Sequence, residues 1–182
     1  AAYTVFAGGG EVHPLRAIAR LESGGDELPL GAAAPVRIAR ADTTFLVTSM
    51  LRSVINEGTA ASARGMGFSH DAAGKTGTTN DLRDAWFVGF TPELLTVVWV
   101  GFDDNQPVTL SGSQAALPIW TRFMMAALAG RPNASFTAPS GVVFVTIDRD
   151  TGKLAQPGCP RVFNEVFISG TEPAEVCELH RF

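Results

Sequence analysis

Two stretches of the chain place apolar and polar residues at the spacing of an amphipathic helix. The stronger one covers residues 42–57, where apolar side chains recur every three or four residues and therefore share one face. Asp42 can accept a hydrogen bond from a first-turn N–H, and Gly58 ends the segment. The second stretch covers residues 118–129, with Pro118 in its first turn. The predicted buried faces are Leu46, Val47, Met50, Leu51, Val54 and Ile55 in the first helix, and Ile119, Trp120, Phe123, Met124, Ala127 and Leu128 in the second.

Residues 85–90 and 95–102 are dense in aromatic and β-branched residues, a composition typical of strands. The sequence Thr-Pro-Glu at 91–93 separates them as a turn, because proline presets turn geometry and cannot continue a strand ladder. The two segments therefore predict a hairpin. Their nearly continuous apolar character indicates that helices cover both faces. The core is expected to include all three tryptophans, Trp86, Trp99 and Trp120.

The N-terminal region carries weaker patterns. Residues 1–7 are apolar and precede three glycines, as at the end of a short helix. In residues 15–21, Leu and Ala alternate with Arg and Ile, which favours a strand. Residues 23–35 are rich in Gly, Ala and Pro, as in an exposed loop.

The C-terminal region predicts less regular structure. Residues 142–147 favour a strand, residues 150–152 a turn and residues 154–155 a short return, and the remaining tail is expected to be irregular. The order of helices and strands predicts an α+β fold, an antiparallel sheet flanked by helices. The expected division is a main portion at 1–130, a linker at 131–141 and a small extension at 142–182.

Composition excludes several classes of function. The chain has 182 residues, of which 46% are hydrophobic and 18% charged, so it can bury a sizeable core and is not disordered. Its net charge of −4 argues against a protein that binds nucleic-acid backbones. The longest apolar stretch, residues 94–102, is far shorter than a membrane span, and no signal peptide is visible. Because the chain starts at Ala1 and not at Met, we expect a segment upstream of it.

Cys159 and Cys177 are the two cysteines, and both lie in the C-terminal region. One pair permits one disulfide, which suits an oxidising compartment and is the first choice. Two free buried thiols are the second choice. A zinc site that recruits His180 ranks third, because it lacks a fourth ligand and paired spacing. We therefore expect no metal and no other cofactor.

The most concentrated chemical signal is the run Gly-Lys-Thr-Gly-Thr-Thr-Asn-Asp at 74–81. A nucleotide phosphate loop is disfavoured, because Ser69 stands where that motif requires a glycine and no good helix start follows Thr76. A polar edge strand without chemistry is the default for such a run. The third alternative is an anion-binding strand of a serine acyl-transfer enzyme. In that case the threonine hydroxyls donate to a carboxylate, Lys75 adds charge, and a backbone N–H beyond Gly77 faces a developing oxyanion.

This run and the segments around it resemble the transpeptidase domain of class A, bifunctional penicillin-binding proteins. Lys-Thr-Gly belongs to the signature of that serine family, and its context here is more specific than the three residues alone. The resemblance implies an incomplete domain of the penicillin-binding and serine β-lactamase type, with a small C-terminal extension. The segments that carry it are AYTVFA (2–7), TSML (48–51), EGTA (57–60), RDAWFVGFTP (83–92), VWVGFDD (98–104), GCP (158–160) and GTEP (170–173).

The resemblance also implies a reaction. In that family a serine attacks the penultimate D-Ala carbonyl of a peptidoglycan stem peptide, D-Ala leaves, and an amine of a second stem takes the acyl group. β-Lactams acylate the same serine. Carried over, Lys75 and Thr78 are catalytic, with the Thr78 amide as one arm of the oxyanion hole. Thr76, Gly77, Thr78 and Thr79 bind the substrate, and Thr76 and Thr78 hold its terminal carboxylate.

The implied partners are stem peptides that end in D-Ala-D-Ala, β-lactams, and an upstream part of the same protein. No nucleic acid is expected. The implied location is outside the cytoplasmic membrane, which the protein would contact only through an upstream anchor.

The chain departs from the family pattern in one respect. Its two lysines, Lys75 and Lys153, have Ala72 and Asp150 three positions earlier, so the motif Ser-x-x-Lys is absent, and so is Ser-x-Asn. We expect the nucleophile to lie upstream and this chain alone to be inactive. The alternatives are a non-catalytic module that binds D-Ala-terminated peptides or another anion, and a β-lactamase fragment. The long chain after Lys75 and the cysteine-bearing tail disfavour the fragment.

Overall fold

The computed structural model describes residues 2–31 and 33–180. Its N-terminal region holds helix α1 (Thr4–Ala7) and four two-residue strands, of which β1 pairs with β4 and β2 with β3, all antiparallel. The short helix was predicted, although Ala1 lies outside the described residues. The strand predicted over 15–21 is wrong, because these residues are exposed and no described strand pairs with them. The four strands are β1 (Glu11–Val12), β2 (Glu22–Ser23), β3 (Asp26–Glu27) and β4 (Val36–Arg37).

Both predicted amphipathic helices form, within two residues of their expected bounds. They are α2 (Ala41–Asn56) and α4 (Ala116–Ala127), with the single turn α3 (Ser62–Gly65) between them. The residue that caps α2 is Arg40, in extended conformation. Asp42 lies inside the first turn, where its Oδ1 accepts the N–H of Thr43 at 2.6 Å.

The buried faces of the two helices differ from the predicted ones. In α2, Met50 is 65% exposed, whereas Thr44 and Thr48 are buried. In α4, Ile119 and Phe123 are each half exposed. Threonine can be buried here because each hydroxyl donates to the carbonyl four residues earlier, Thr44 to Arg40 at 2.7 Å and Thr48 to Thr44 at 3.0 Å.

The central sheet has three antiparallel strands, β5 (Ala73–Thr78), β6 (Ala85–Phe90) and β7 (Leu95–Val100), in the order β5-β6-β7. A short 3-10 helix (Asn80–Leu82) lies in the connection from β5 to β6. The predicted hairpin is therefore confirmed as β6 and β7. Since β6 is the central strand, β5 forms an edge of this sheet.

One face of the sheet packs against the main core. The fully buried ring of Trp120 lies 5.0 Å from Phe87 and 5.1 Å from Phe68, both in edge-to-face geometry. On strands β6 and β7, Trp86 is 39% and Trp99 45% exposed. The prediction that all three tryptophans are core residues holds only for Trp120, and the prediction that both faces of the hairpin are covered is wrong for the described residues. The core cluster consists of Ile55, Ala60, Ala63, Phe68, Ala72, Phe87, Ala116, Leu117, Trp120, Met124 and Leu128.

Residues 131–141 contain neither helix nor strand, and they lead into a second sheet. It consists of β8 (Val142–Asp148) and β9 (Val162–Ile168), paired antiparallel over their full length. The expectation of an irregular tail is therefore wrong, because β9 finds its partner in a strand that lies more than a dozen residues earlier. The predicted return is an antiparallel bridge from Leu154 to Ile147, and Leu154 forms a second, parallel bridge with Val176. The α+β fold class with antiparallel sheets and flanking helices is confirmed. None of the described helices has the length and apolar content required to cross a membrane.

Candidate functional site

Residues 74–78 of the run Gly-Lys-Thr-Gly-Thr-Thr-Asn-Asp lie in the edge strand β5. They do not form the loop before a helix that a phosphate-binding motif requires. Lys75 is exposed on this strand, and its Nζ donates to the carbonyl oxygen of Thr76 at 3.0 Å. Among the described residues Lys75 has no acidic partner within salt-bridge distance. Its charge is therefore available to an anion at the edge of the sheet.

The two threonines that flank Gly77 each contact a different loop. The hydroxyl of Thr76 lies 3.1 Å from that of Thr59, which follows α2. The hydroxyl of Thr78 accepts the backbone N–H of Gly112 at 3.1 Å, from the loop that precedes α4. Because side chains alternate along a strand, both hydroxyls lie on the sheet face opposite that of the Lys75 stem.

Gly112 brings its loop into direct contact with the sheet. A Cβ atom on Gly112 would lie 2.4 Å from the carbonyl oxygen of Trp86 and 2.5 Å from that of Gly77. No side chain fits into this space, so main chain packs on main chain beside Gly77. The main chain of Gly112 therefore lies in close contact with that of Gly77.

Thr79 has a different environment from Thr76 and Thr78. Its hydroxyl accepts the backbone N–H of Asp84 at 2.8 Å, and its own N–H donates to the carbonyl of Asp84 at 3.1 Å. These bonds close the connection from β5 to β6, in which Asp81 and Leu82 both adopt positive φ. The carboxylate of Asp84 also accepts the indole N–H of Trp99 at 2.8 Å. The structure thus joins Thr79 to the turn.

Sequence reasoning missed Thr59, Asp84 and Gly112 as parts of this region. Thr59 stands in one of the segments that carry the family resemblance, and Asp84 in another. The small residues Ser111, Gly112 and Ser113 are a signal of close backbone approach that could have indicated the third contact.

Asp71, in the loop before β5, forms a 2.7 Å salt bridge with Arg52 of α2 and accepts the backbone N–H of Phe136 at 3.2 Å. This carboxylate therefore links α2 to the segment after α4. A cavity of about 200 Å³ lies elsewhere, between Phe6, Phe45 and Phe136, and its lining includes no residue of β5.

Cys159 and Cys177 are free thiols in the structure, and the Cys177 side chain is fully buried. Both sulfurs lie in a group with Asp148 and His180 whose ligand atoms are all within 4.8 Å of one another. The expected disulfide stays a prediction.

The chain matches two known protein families. The family profile described as "Penicillin binding protein transpeptidase domain" matches residues 1–125, and that described as "Penicillin-binding protein 1A, C-terminal domain" matches residues 138–182. The crystal structure of penicillin-binding protein 1A from Haemophilus influenzae has a TM-score of 0.82 at 29% sequence identity. The match covers 97% of this chain and 32% of that one.

Two curated relatives are much longer than the chain. Penicillin-binding protein 1A of Pseudomonas aeruginosa is 45% identical over 147 residues, which cover 79% of this chain and 18% of that protein. Penicillin-binding protein 1A of Aquifex aeolicus is 38% identical over 180 residues, which cover 97% of this chain and 24% of that protein. The chain thus spans less than a quarter of the length of either relative. With the transpeptidase profile matched over residues 1–125 and the second profile over most of the remainder, the chain belongs to the penicillin-binding protein transpeptidase family.

Proposed function

We propose that this chain is the carboxylate-binding part of a peptidoglycan D,D-transpeptidase that works through a serine acyl-enzyme. The observation that carries the proposal is the edge strand β5. Within the four consecutive positions 75–78 it presents two threonine hydroxyls and an ammonium group that has no acidic partner among the described residues. An edge strand leaves main-chain groups free to pair with an extended peptide. A stem peptide that ends in D-Ala-D-Ala presents both such a backbone and a terminal carboxylate.

The hydrogen bond from Gly112 to Thr78 suits this role. A threonine hydroxyl has one hydrogen to donate and two lone pairs. Because the N–H of Gly112 occupies a lone pair, the hydroxyl hydrogen of Thr78 remains available to the substrate carboxylate. The hydroxyls of Thr59 and Thr76 lie 3.1 Å apart and share one hydrogen bond. The hydroxyl that accepts this bond keeps its own hydrogen available to the carboxylate.

Lys75 supplies the charge of the site. Its stem leaves the other face of β5, but its Nζ turns back to the carbonyl of Thr76 and so stays at the strand's main chain. A compact ammonium there attracts the carboxylate of a stem peptide or a β-lactam. We assign the backbone N–H of Thr78 to the oxyanion hole, where loss of one donor typically costs about 3–4 kcal/mol of transition-state stabilisation.

The attacking serine and its lysine would come from an upstream part of the same protein. The sequence contains no Ser-x-x-Lys motif, so this chain alone is not expected to form an acyl-enzyme. Exposed apolar side chains such as Met50, Ile119 and Phe123 offer surface for that upstream part.

The proposal includes the arrangement of the longer protein. Residues 1–130 form the C-terminal portion of the transpeptidase domain, residues 131–141 a linker and residues 142–182 a small extension. The protein acts outside the cytoplasmic membrane, and any membrane anchor lies upstream of this chain. The net charge of −4 supports the absence of a nucleic-acid partner.

Covalent labelling with a fluorescent penicillin tests the proposal. We expect the full-length gene product to be labelled, and a full-length Ser→Ala variant in the upstream Ser-x-x-Lys motif and the present chain alone to remain unlabelled. A folded full-length protein that binds D-Ala-D-Ala peptides without labelling would support the non-catalytic module instead. Rapid hydrolysis of the drug would support a β-lactamase.

A further inference from the structure

Four side chains with metal-binding atoms converge beside the end of the β8–β9 sheet. They are Asp148, Cys159, Cys177 and His180, and one ligand atom from each lies within 4.8 Å of all the others. The fourth ligand that the sequence pattern lacked is thus Asp148, the last residue of β8. This cluster belongs to the C-terminal sheet.

The backbone holds the contributing segments together without a metal. The N–H of Leu154 donates to the carbonyl of Glu175, and the N–H of Cys177 donates to the carbonyl of Leu154, both at 2.9 Å. These bonds place the C-terminal segment alongside the turn that follows β8. The N–H of Asp148 donates to the carbonyl of Lys153 at 2.9 Å and so fixes the start of that turn.

Two of the six distances between the ligand atoms match tetrahedral coordination. Cys177 Sγ lies 3.5 Å from His180 Nδ1, and His180 Nδ1 lies 3.6 Å from Asp148 Oδ1. Bond lengths of about 2.3 Å from zinc to sulfur and about 2.0–2.2 Å from zinc to nitrogen or oxygen, at tetrahedral angles, separate such atoms by roughly 3.3–3.6 Å. These two pairs therefore already stand at the spacing that a bound ion would impose, and all the ligand atoms lie within 4.8 Å of one another.

The carboxylate of Asp148 gives an independent indication of a ligand. The side chain is fully buried, and its Oδ1, which faces His180, has no hydrogen-bond partner among the described residues. Its other oxygen accepts two hydrogen bonds from Thr151, from the backbone N–H at 3.1 Å and from the hydroxyl at 2.8 Å. A buried carboxylate oxygen without a partner is costly. A cation at the centre of the cluster would satisfy it.

We propose that these four residues bind one Zn²⁺ ion as a structural site. Two thiolates, one imidazole and one carboxylate form a donor set that selects zinc over the hard cations Mg²⁺ and Ca²⁺. On binding, the two thiols release their protons to solvent, and the ion accepts one electron pair from each of the four ligands. The site has no open position for a substrate. It ties β8 to the segment that ends near His180.

The second nitrogen of His180 also has a suitable neighbour. Nε2 lies 3.8 Å from the carboxylate Oδ2 of Asp150, which is itself bound by Arg161. A carboxylate behind a metal-bound histidine commonly fixes the ring orientation. Asp150 is therefore a positioning residue for the site.

A disulfide between Cys159 and Cys177 is the rival arrangement. It would join the two sulfurs but would leave the buried Oδ1 of Asp148 without a hydrogen bond, facing His180 Nδ1 at 3.6 Å. The two arrangements exclude each other, because sulfurs joined in a disulfide are no longer thiolate ligands.

The experiment compares metal content and thiol state under conditions that allow either arrangement. The present chain, exported to the periplasm of an expression host grown with zinc, is purified without chelator and analysed by elemental and native mass spectrometry. We expect one zinc per chain and two thiols that react with Ellman's reagent only after EDTA treatment. Re-addition of Zn²⁺ should protect them again, a result that needs no variant.

Variants then separate the ligands from the surroundings. D148N and H180Q should weaken zinc binding by at least about 100-fold, more than the roughly 10- to 100-fold expected for D150N. H13Q, which changes an exposed histidine elsewhere, should leave zinc binding unchanged. A zinc-free chain, with its thiols joined or free, overturns the proposal. So does zinc that is retained at full affinity by both D148N and H180Q.

Discussion

The backbone N–H of Gly112 donates a 3.1 Å hydrogen bond to the hydroxyl of Thr78, and this bond joins the loop before α4 to the edge strand β5. The contact exists because residue 112 has no side chain. We expect G112A to displace the loop, since its methyl group would meet two carbonyl oxygens at 2.4 and 2.5 Å. Overpacking of this kind costs about 1–3 kcal/mol.

Two measurements check the effect of G112A in the full-length protein, the free energy of unfolding and the rate of penicillin acylation. Both should fall, because the displaced loop also releases the hydroxyl of Thr78. G65A is the matched control, since a Cβ at Gly65 meets no atom within 4 Å and its backbone φ is not positive. If G112A lowers the stability but leaves the acylation rate unchanged, the loop around Gly112 supports the fold and does not contribute to the site.

Thr78 and Thr79 are adjacent threonines for which we expect different functional roles. T78V removes a hydroxyl that we assign to the substrate carboxylate, and a hydrogen bond to a charged group contributes about 1.5–3 kcal/mol. The second-order rate constant of acylation should therefore fall roughly 10- to 100-fold. T79V removes a hydroxyl that binds Asp84, so it should lower stability by about 1 kcal/mol and leave the acylation rate nearly unchanged. Equal losses of acylation rate in the two variants would mean that Thr79 also binds the substrate, as the family resemblance implies.

Substitutions of Trp120 and Trp86 compare how much each face of the sheet contributes to the free energy of unfolding. Trp120 is fully buried, packs on Phe68 and Phe87, and donates its indole N–H to the carbonyl of Gly89 at 3.2 Å. We expect W120A to lower the free energy of unfolding by about 3–5 kcal/mol in urea titrations. W86A, at a position that is 39% exposed, should cost less than half as much. A larger loss in W86A would mean that its face is covered in the folded protein.

The sequence predicted the elements well, because period and composition are local properties. Helices α2 and α4 and the hairpin of β6 and β7 all appear within two residues of the expected bounds. It predicted the buried faces less well. Hydropathy alone assigns Thr44 and Thr48 to the surface, whereas their bonds to backbone carbonyls allow burial. Strand β9 was missed since its apolar residues do not alternate regularly and its partner is distant in sequence.

The candidate site shows the same limit. Its central residues were predictable because they form one contiguous motif on β5. Thr59 and Gly112 come from loops that lie 17 residues before Thr76 and 34 residues after Thr78, and only the tertiary structure brings them together. Asp148 was overlooked as a ligand for the same reason, since nothing in the spacing of the two cysteines and His180 indicates it.

The ion pair of Arg40 and Asp42 at the start of α2 makes stability depend on pH. The hydrogen bond from the Arg40 guanidinium holds the pKa of Asp42 below its ordinary value of about 4. A carboxyl group whose pKa is lower in the folded chain stabilises the fold above the unfolded pKa, and this contribution is lost as pH falls through the folded pKa. We therefore expect D42N to lower the urea midpoint at about pH 7 and to flatten its decline toward about pH 3. R40Q should produce the same loss at neutral pH, and the double variant should add nothing to it. If D42N keeps the wild-type slope with pH, another carboxyl group accounts for the acid sensitivity of the chain.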